Sequence, residues 1–506
     1  MNERTDASDQ QTLTIQQAID LGVEHHNAGN LPKAESIYQQ ILLAEPKQHV
    51  ALNLLGVIAH QVGKNNISVD LIGKALSIKP DYAEAHYNLG LALQELGKLN
   101  EAVESYKKAL AIKPDYAEAH NNLGNAFKDQ CKLDDAVSSY HKVLAIKPDL
   151  AEAHNNLGNA FKYQGKLDDA VASYHKALAI KPDFADVHNN LGHAYLAGGE
   201  LEKGLNELEW RWLNSDKSPE KRVFQQPMWD GISNLREKTI LIWGEQGPGD
   251  MLIWSSCFQH LIPRAKQIIL ECPPKLVPLF ARSFPGIKVV PENRDLDLRP
   301  NDIDFHLPMG SLFRHFIPEI SKETNVSSFL VPDPVRVDYW INRLKLLGQG
   351  PFVGISWKSP LMNPLRQPNY TQISDWSPVF SNSHTTFINL QSIDFTNDLA
   401  QIQDKFGITV HNFDDLDHFD NLDDVAALSA ALDVSISVST AVAAITAGVG
   451  TPTKFIAWRQ SSWNNILFAP RGPSVEVFER NTWEPWDEVF QSIAKDILGY
   501  KVAIFR

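Results

Sequence analysis

Apolar and small residues recur at helical spacing in the first part of the chain, and residues 151–183 show the pattern clearly. Two helical faces can be traced there, formed by Leu157, Gly158 and Phe161 and by Ala170, Tyr174 and Ala177. Gly165 lies between the faces and suits a turn, whereas Pro182 follows the second face, because proline cannot continue a helix. The segment therefore predicts two packed helices joined by a short turn.

This two-helix segment is repeated with a period of 34 residues. The closing proline recurs at Pro46, Pro80, Pro114, Pro148 and Pro182, and a Leu-Gly pair keeps the same register throughout. Six units result, and with the EWRW segment that ends them they cover residues 14–212. The pattern resembles the tetratricopeptide repeat, which implies an α-solenoid with a concave groove.

A stripe of asparagines runs through the first helices of the central repeats. Asn88, Asn122, Asn156 and Asn190 directly precede the Leu-Gly pair, and Asn121 and Asn155 stand one position earlier. Amide groups donate and accept hydrogen bonds, so such a ladder can hold an extended peptide without selecting its sequence. It is similar to the ladder of the O-linked N-acetylglucosamine transferases, which implies a polypeptide partner. The alternative is a solvated polar face copied by repeat duplication.

The periodicity changes after the repeats. Residues 213–237 form a connector, and from residue 238 short β-rich runs alternate with helical runs. The runs are TILIW, QIILE, IKVV and IDFHL, followed by FVGISW, TTFINL, ITV, VSISV and TKFIA. This alternation predicts parallel sheets with helices on both faces, in two doubly wound α/β lobes over residues 238–345 and 346–506.

Two segments that follow predicted strands carry candidate chemistry, since ligands of open parallel sheets bind beyond the carboxyl ends of the strands. In GEQGPGD, Gly247 and Gly249 permit close backbone approach, and Asp250 stands at a helix start. In SVSTAV, Ser439 and Thr440 begin a helix whose N–H groups and dipole suit a diphosphate. The alternative is that Asp250, Ser439 and Thr440 only cap their helices.

Four segments of the second half share a resemblance to known proteins. They are WGEQGPGD, GISWKS, INLQ and AALSAALDVSISVSTAVAAITAGVGTPT. They resemble bacterial tetratricopeptide-repeat proteins with a heptosyltransferase-like glycosyltransferase domain. The resemblance implies a GT-B architecture, with the acceptor on the first lobe and the nucleotide sugar mainly on the second. It also implies inverting transfer without a metal, and no cofactor beside the nucleotide-sugar substrate.

The resemblance also assigns roles to residues. It implies that Asp250 removes the proton of the acceptor hydroxyl, and that Lys358 or Arg366 offsets charge on the departing diphosphate. The implied donor site consists of Gly247, Gly249, Lys358, Arg366, Ser439, Thr440, Ala441, Gly448 and Gly450. For Lys358 and Arg366 the alternative is ordinary surface charge. The chain departs from the usual motif at Ser439 and Ala444, where heptosyltransferases carry an aspartate and a histidine.

Composition excludes several classes of partner. Lys and Arg total 47 against 61 Asp and Glu, a formal net charge of −14, and no basic stripe is present, so we expect no nucleic acid partner. The three cysteines are too scattered for a disulfide framework or a zinc site. The polar start of the chain and the absence of a run of 18 apolar residues predict a cytoplasmic protein without a transmembrane segment.

These observations predict a glycosyltransferase whose repeat groove holds a polypeptide acceptor. Two alternatives stay open. In one, the protein is a scaffold with a degenerate glycosyltransferase domain, which the residues Ser439 and Ala444 favour. In the other, the acceptor is a lipid-linked or surface glycan and the repeats only tether the enzyme. No metal site is expected, because His86, His120, His154 and His188 stand one repeat apart.

Overall fold

The chain forms two compact units. One comprises Met1–Gln164 with His175–Pro182, and the other Gly165–Tyr174 with Asp183–Arg506. The computed structural model describes residues 13–213, 222–245, 247–292, 302–320, 328–359, 371–382, 384–393, 395–458, 474–481 and 484–497. None of the helices in these ranges is long and apolar enough to cross a bilayer.

Paired helices build the first unit. They are α1 (Ile15–Asn27), α2 (Leu31–Ala44), α3 (His49–Gln61), α4 (Asn65–Ile78), α5 (Ala83–Glu95), α6 (Leu99–Ile112), α7 (Ala117–Asp129), α8 (Leu133–Ile146) and α9 (Ala151–Tyr163), and α10 (Leu167–Ile180) has residues in both units. The first helix of each pair has 13 residues and the second 14, and equivalent helices begin 34 residues apart. The predicted 34-residue repeat is therefore confirmed.

Glycine is required where the two helices of a pair approach. A Cβ atom on Gly90 would lie 2.5 Å from Cε1 of Tyr106, and one on Gly124 would lie 2.6 Å from Cε1 of Tyr140. These tyrosines are fully buried, and any larger residue at the glycine positions would push the helices apart. This explains why the Leu-Gly pair keeps its register.

The second unit begins with the end of the solenoid. Helices α11 (Ala185–Ala197) and α12 (Leu201–Leu208) are followed by a 3₁₀ turn over Glu209–Leu213. Leu196 and Leu205 are buried in the same apolar core as Trp229 and Ile240. The last pair of helices therefore shares a core with the α/β region that follows.

The first lobe contains a four-stranded parallel sheet in the order β3-β2-β1-β4. The strands are β1 (Thr239–Trp243), β2 (Gln267–Cys272), β3 (Ile287–Pro291) and β4 (Phe305–Pro308). The helices packed with it are α13 (Pro248–Trp254), α14 (Phe258–Leu261), α15 (Val277–Ser283) and α16 (Ile317–Ile320).

The two faces of this sheet differ, which corrects the prediction of helices on both. Leu241 and Trp243 point to the face opposite the helices and pack there with Trp212 and Phe224 of the segment that precedes the sheet. This segment also joins the edge strand, since the Trp229 N–H donates to the His306 carbonyl at 2.9 Å. Among the described residues, Trp212 and Phe224 form an aromatic strap over this face, where a second layer of helices was expected.

The second lobe contains a six-stranded parallel sheet in the order β10-β9-β8-β5-β6-β7. Its elements are α17 (Pro334–Lys345), β5 (Phe352–Ser356), α18 (Ser377–Phe380), β6 (Thr386–Asn389), α19 (Thr396–Phe406), β7 (Val410–His411), α20 (Leu422–Ala430), β8 (Val434–Ser437), α21 (Ala441–Gly448), β9 (Thr453–Trp458), β10 (Val475–Arg480) and α22 (Asp487–Ile497). Alternate residues such as Phe387 and Ile388 enter different cores, so here both faces are covered. Each of the nine predicted β-rich runs overlaps a strand, and among the described residues β10 is an additional strand.

Each sheet has one point where the chain reverses its direction of winding. In the first sheet the chain runs from β1 to β3 on one side and then returns to β4 on the other side of β1. In the second it runs from β5 to β7 and returns to β8 beside β5. Clefts for ligands open at the carboxyl ends of the strands at such switch points.

Candidate functional site

The predicted site segments follow the switch-point strands. The loop with Gly247, Gly249 and Asp250 follows β1, Lys358 follows β5, and Ser439 and Thr440 follow β8. The sequence placed these residues after strands, and the sheet order now shows that the strands in question are central ones. The predicted residues therefore stand at the edge of each sheet where a ligand is expected.

The loops of the two lobes meet directly. A Cβ atom on Gly249 would lie 3.3 Å from Cα and 3.5 Å from the backbone nitrogen of Ala441. Gly249 is in the first turn of α13, and Ala441 is the first residue of α21. The glycine thus allows the first-lobe loop to lie against the N-terminus of the helix proposed to hold a diphosphate.

Asp250 is half-buried in the first turn of α13. The N-cap of this helix is Gly247, to whose carbonyl the Asp250 N–H donates at 3.1 Å. A Cβ atom on Gly247 would lie 3.8 Å from Oδ2 of Asp250, so the carboxylate stands above that glycine. Asp250 is consequently not the N-cap residue itself but stands in the first turn of α13, where an acidic side chain also stabilises a helix N-terminus.

Thr440 occupies the N-cap position of α21, but its side chain makes no capping hydrogen bond to that helix. Its hydroxyl lies 3.2 Å from the hydroxyl of Ser437. Ser439, Thr440 and Ala441 are each half-buried. The first N–H groups of α21 are therefore not satisfied by Thr440, and the helix dipole places partial positive charge beside Gly249.

Lys358 is held by an acidic partner. Its Nζ lies 2.7 Å from Oδ2 of Asp398, to which the Trp357 indole N–H also donates at 2.8 Å. Gln391 fixes the backbone of the same loop, since its Oε1 accepts the N–H groups of Trp357 and Lys358 and its Nε2 donates to the Lys358 carbonyl. The loop after β5 is thus preorganised by residues that follow β6.

The first-lobe loop carries a buried charge that was not predicted. The Glu245 side chain is 1% exposed and pairs with Arg211 at 2.7 Å. It also accepts the Gly310 N–H from the turn after β4 at 2.9 Å. Burial raises the pKa of Glu245, an effect that the hydrogen bond and charge of Arg211 oppose.

Two predicted donor residues, Gly448 and Gly450, are not brought to this place. Gly448 is the last residue of α21, at the end away from Ala441, and its carbonyl accepts the N–H groups of Phe329 and Leu330. A Cβ atom there would lie 2.5 Å from the Leu330 side chain, so Gly448 is a packing position. Gly450, with φ +87°, forms the turn toward β9. Arg366 lies outside the described residues.

The asparagine stripe connects neighbouring repeats. Nδ2 of Asn88 donates to Asn53 at 3.1 Å, Nδ2 of Asn122 to the Tyr87 hydroxyl at 3.0 Å, and Nδ2 of Asn156 to Asn121 at 3.1 Å. Asn155 and Asn190 occupy equivalent half-buried positions in α9 and α11. The stripe is therefore more than a solvated face, since its amides also stabilise the stacking of repeats.

The repeated histidines have a structural role. Nε2 of His86, His120 and His154 lies 2.8, 3.0 and 3.1 Å from the carbonyls of Pro80, Pro114 and Pro148. His188 in addition contacts Glu207 and stacks on Trp210. Within the described ranges, no three His, Cys, Asp or Glu side chains gather as a metal site would require.

Sequence reasoning missed the residues that support the site. Glu245 and Asp398 were not singled out, and Gln391 appeared only within the phrase INLQ. Their partners lie 33 to 65 residues away in sequence, so no local spacing reveals them. The one feature of the sequence that could have pointed to Glu245 is an acidic residue inside the glycine-rich turn GEQGPGD. Acidic residues are rarely buried without a partner.

The chain contains TPR repeats, which are followed by a C-terminal region of parallel sheets and helices. The TPR repeat family model matches residues 56–97, 92–130, 124–165 and 158–199. FlbA from Caulobacter vibrioides is 30% identical over 289 residues, which cover 54% of this chain and 48% of FlbA. The match thus spans about half the length of that curated relative.

Solved structures resemble the repeat part. MamA is 28% identical and matches with a TM-score of 0.31, over 33% of this chain and 98% of MamA. A thermophilic TPR protein of Thermus thermophilus, TTC0263, is 25% identical with a TM-score of 0.31, over 36% of this chain and all of TTC0263.

Proposed function

We propose that the two lobes form a glycosyltransferase that moves a sugar from a nucleotide-sugar donor to a polypeptide held by the repeat groove. One observation carries the proposal. The switch-point loop of the first lobe, with Asp250, lies against the N-terminus of α21 in the second lobe through the contact of Gly249 with Ala441. A carboxylate and a helix N-terminus that follow switch-point strands of the two sheets suit a single donor molecule bound by both.

Asp250 is the proposed general base. Its carboxylate takes the proton of an acceptor hydroxyl as the oxygen attacks the anomeric carbon. The bond between that carbon and the diphosphate oxygen breaks, and its electron pair leaves with the diphosphate. Attack from the side opposite the leaving group inverts the configuration, and base catalysis of this kind contributes about 10²- to 10⁴-fold.

The second lobe supplies the positive field for the leaving group. The N–H groups at the start of α21 and the Ser439 and Thr440 hydroxyls are suited to phosphate oxygens. Lys358, 24% exposed and paired with Asp398, stands after β5 beside them. Its ammonium can turn to the diphosphate as charge develops there, which is the role proposed for it.

The repeats are the proposed acceptor site. The family match to TPR repeats supports binding of a protein or peptide by the solenoid. Amides of the stripe, such as Asn122 and Asn156, donate to neighbouring repeats and still have lone pairs on their oxygens. An extended acceptor chain would lie along these amides.

Replacing Asp250 with Asn tests the mechanism. We expect transfer to fall at least about 10²-fold because the amide cannot take up the proton, whereas binding of nucleoside diphosphates, measured by calorimetry, is retained. Asp149→Asn, at an exposed position of the repeats, is the matched control. Candidate acceptors are identified by intact-mass spectrometry of proteins from cells with and without this protein. Undiminished turnover of Asp250→Asn would remove this residue from the mechanism.

A scaffold with a degenerate transferase domain is the second candidate. Ser439 and Ala444, which replace the usual acid and imidazole, favour it. A thermal-shift screen with ADP-, GDP-, UDP- and CMP-sugars separates the two candidates. Binding without any glycosylated product from a panel of proteins would favour the scaffold, and a mass increase of one sugar would favour the enzyme.

A further inference from the structure

The end of the solenoid is fastened to the first lobe by the EWRW turn, the four residues Glu209–Trp212. Glu209 accepts the Ser311 hydroxyl at 2.8 Å. Trp210 stacks on His188 of α11, with ring centroids 3.7 Å apart and planes inclined by 2°. Trp212 packs against Trp243 of β1, with ring centroids 5.7 Å apart. Successive side chains of one turn therefore contact the last repeat and the first sheet.

Arg211 makes the most directional of these contacts. Its Nε and Nη2 donate to the two oxygens of Glu245 at 3.0 and 2.7 Å, and Nη2 also donates to the Ser311 hydroxyl at 2.8 Å. A fork of two parallel hydrogen bonds fixes the carboxylate in orientation as well as distance. The Glu245 side chain is 1% exposed, so removal of Arg211 would leave a buried carboxylate without its countercharge.

Glu245 belongs to the loop that leads to the proposed base. It stands two residues after β1 and five before Asp250. Through the Gly310 N–H it is also bound to the turn after β4. The Arg211–Glu245 pair thereby joins the two loops at the switch point of the first sheet, and α13 with Asp250 continues from one of them.

We propose that Arg211 is a positioning residue for Asp250. By holding Glu245, it fixes the loop after β1 so that Gly249 stays against Ala441 and Asp250, the next residue, keeps its place in the first turn of α13. The inference rests on the proposed function, because it assigns a role within the same cleft. It adds that the last turn of the repeats is part of the catalytic support.

Hydrogen exchange of the full-length chain tests the positioning role. In Arg211→Ala we expect the amides of α13 (Pro248–Trp254) to exchange about tenfold faster or more, because the opening of that segment becomes easier. Arg211→Lys, which keeps the charge and loses the fork, is expected to lie between the wild type and Arg211→Ala. Unchanged exchange in α13 of Arg211→Ala would overturn the proposal.

Arg336→Ala is the matched control. It also removes a two-pronged arginine contact to a buried carboxylate, that of Asp424, but this pair joins α17 to α20. We expect α13 to exchange at the wild-type rate in this variant. Equal acceleration in both variants would mean general destabilisation and would contradict positioning by Arg211.

Kinetics supply the second measurement. A misplaced base lowers kcat, so we expect Arg211→Ala to lose about 100-fold in kcat with KM for the sugar nucleotide little changed. Equal kcat in the wild type and Arg211→Ala would overturn the positioning role. If the wild type transfers no sugar while the exchange rates change as expected, the proposed function fails and the fixing of the loop by Arg211 stands.

Discussion

Cys131 occupies a turn position that other repeats fill with glycine. Its φ is +60°, and the equivalent residues Gly97 and Gly165 have φ of +71° and +77°. Between two helices of a repeat the chain needs a left-handed residue, which costs an L side chain roughly 1–2 kcal/mol. The sequence therefore carries local strain at one repeat, and Cys131 lies where the period predicts glycine.

We expect Cys131→Gly to raise the free energy of unfolding of the first unit by about 1 kcal/mol, since the strain is relieved. Urea denaturation followed by helical circular dichroism measures the change. Cys131→Ala is the control, because it removes the thiol and keeps the strained backbone. Gly97→Ala, in the same unit, should act in the opposite direction, and equal stability of all three variants would contradict the role of backbone strain.

Among the elements, the helices of the repeats are coupled by the asparagine stripe. Asn156 and Asn121 are hydrogen-bonded at 3.1 Å between α9 and α7. Loss of a half-buried hydrogen bond costs about 1 kcal/mol. We expect Asn156→Ala and Asn121→Ala each to lower the free energy of unfolding by about this amount, and the double variant to lose clearly less than the sum.

The control for this cycle pairs Asn156→Ala with Asn88→Ala, whose partner Asn53 lies elsewhere in the stack. These two losses should add. If the losses at Asn156 and Asn121 add as well, the hydrogen bond does not couple the repeats, and the stripe would be available for a peptide alone.

The elements were predictable to the extent that a period exposes them. The repeats follow from 34-residue spacing, and the nine β-rich runs follow from apolar residues in short runs. β10 was missed because Val475–Arg480 is an edge strand with Glu476, Glu479 and Arg480 in it. The packing of Trp212 and Phe224 on the first sheet could not be predicted from a period, since Trp212 ends the repeats and Phe224 lies in the connector.

In the whole molecule, buried histidines place a pH dependence in the second unit. Burial lowers the pKa of His306 and of His418 to about 4. Neither ring nitrogen of His418 has a hydrogen-bond partner among the described residues. The folded chain keeps both rings neutral, whereas the unfolded chain takes up protons near pH 6.5. The stability they contribute is complete above about pH 6.5 and is lost as the pH falls toward 4.

Between pH 7 and pH 5 the buried histidines lower the free energy of unfolding of the wild type. In His418→Leu we expect this decrease to be smaller by about 2 kcal/mol. Chemical denaturation at the two pH values, followed by tryptophan fluorescence, measures it. Glu245 and Glu271 have raised pKa values through burial and act in the opposite direction, so the comparison is made between variants. The exposed His384→Gln is the control; an unchanged pH dependence in His418→Leu would refute the assignment.

At this scale the sequence placed the candidate residues and did not show their mutual support. Asp250 and Thr440 could be found because each follows a β-rich run, but the contact between their neighbours Gly249 and Ala441 is seen only in the structure. Gly448 was assigned to the donor site from its motif alone, but it lies at the C-terminal end of the eight-residue helix that begins with Ala441. Contacts such as Arg211 with Glu245 depend on the packing of distant segments, which no spacing encodes.

The shared core of Leu196, Leu205 and Trp229 has a practical consequence for dissecting the protein. A fragment that starts at Leu213, where the repeat register stops, would expose apolar side chains of the first lobe to solvent and would be prone to precipitate. A fragment that starts before α11 keeps these side chains buried. The smallest autonomous piece that contains both sheets should accordingly retain the final helical hairpin.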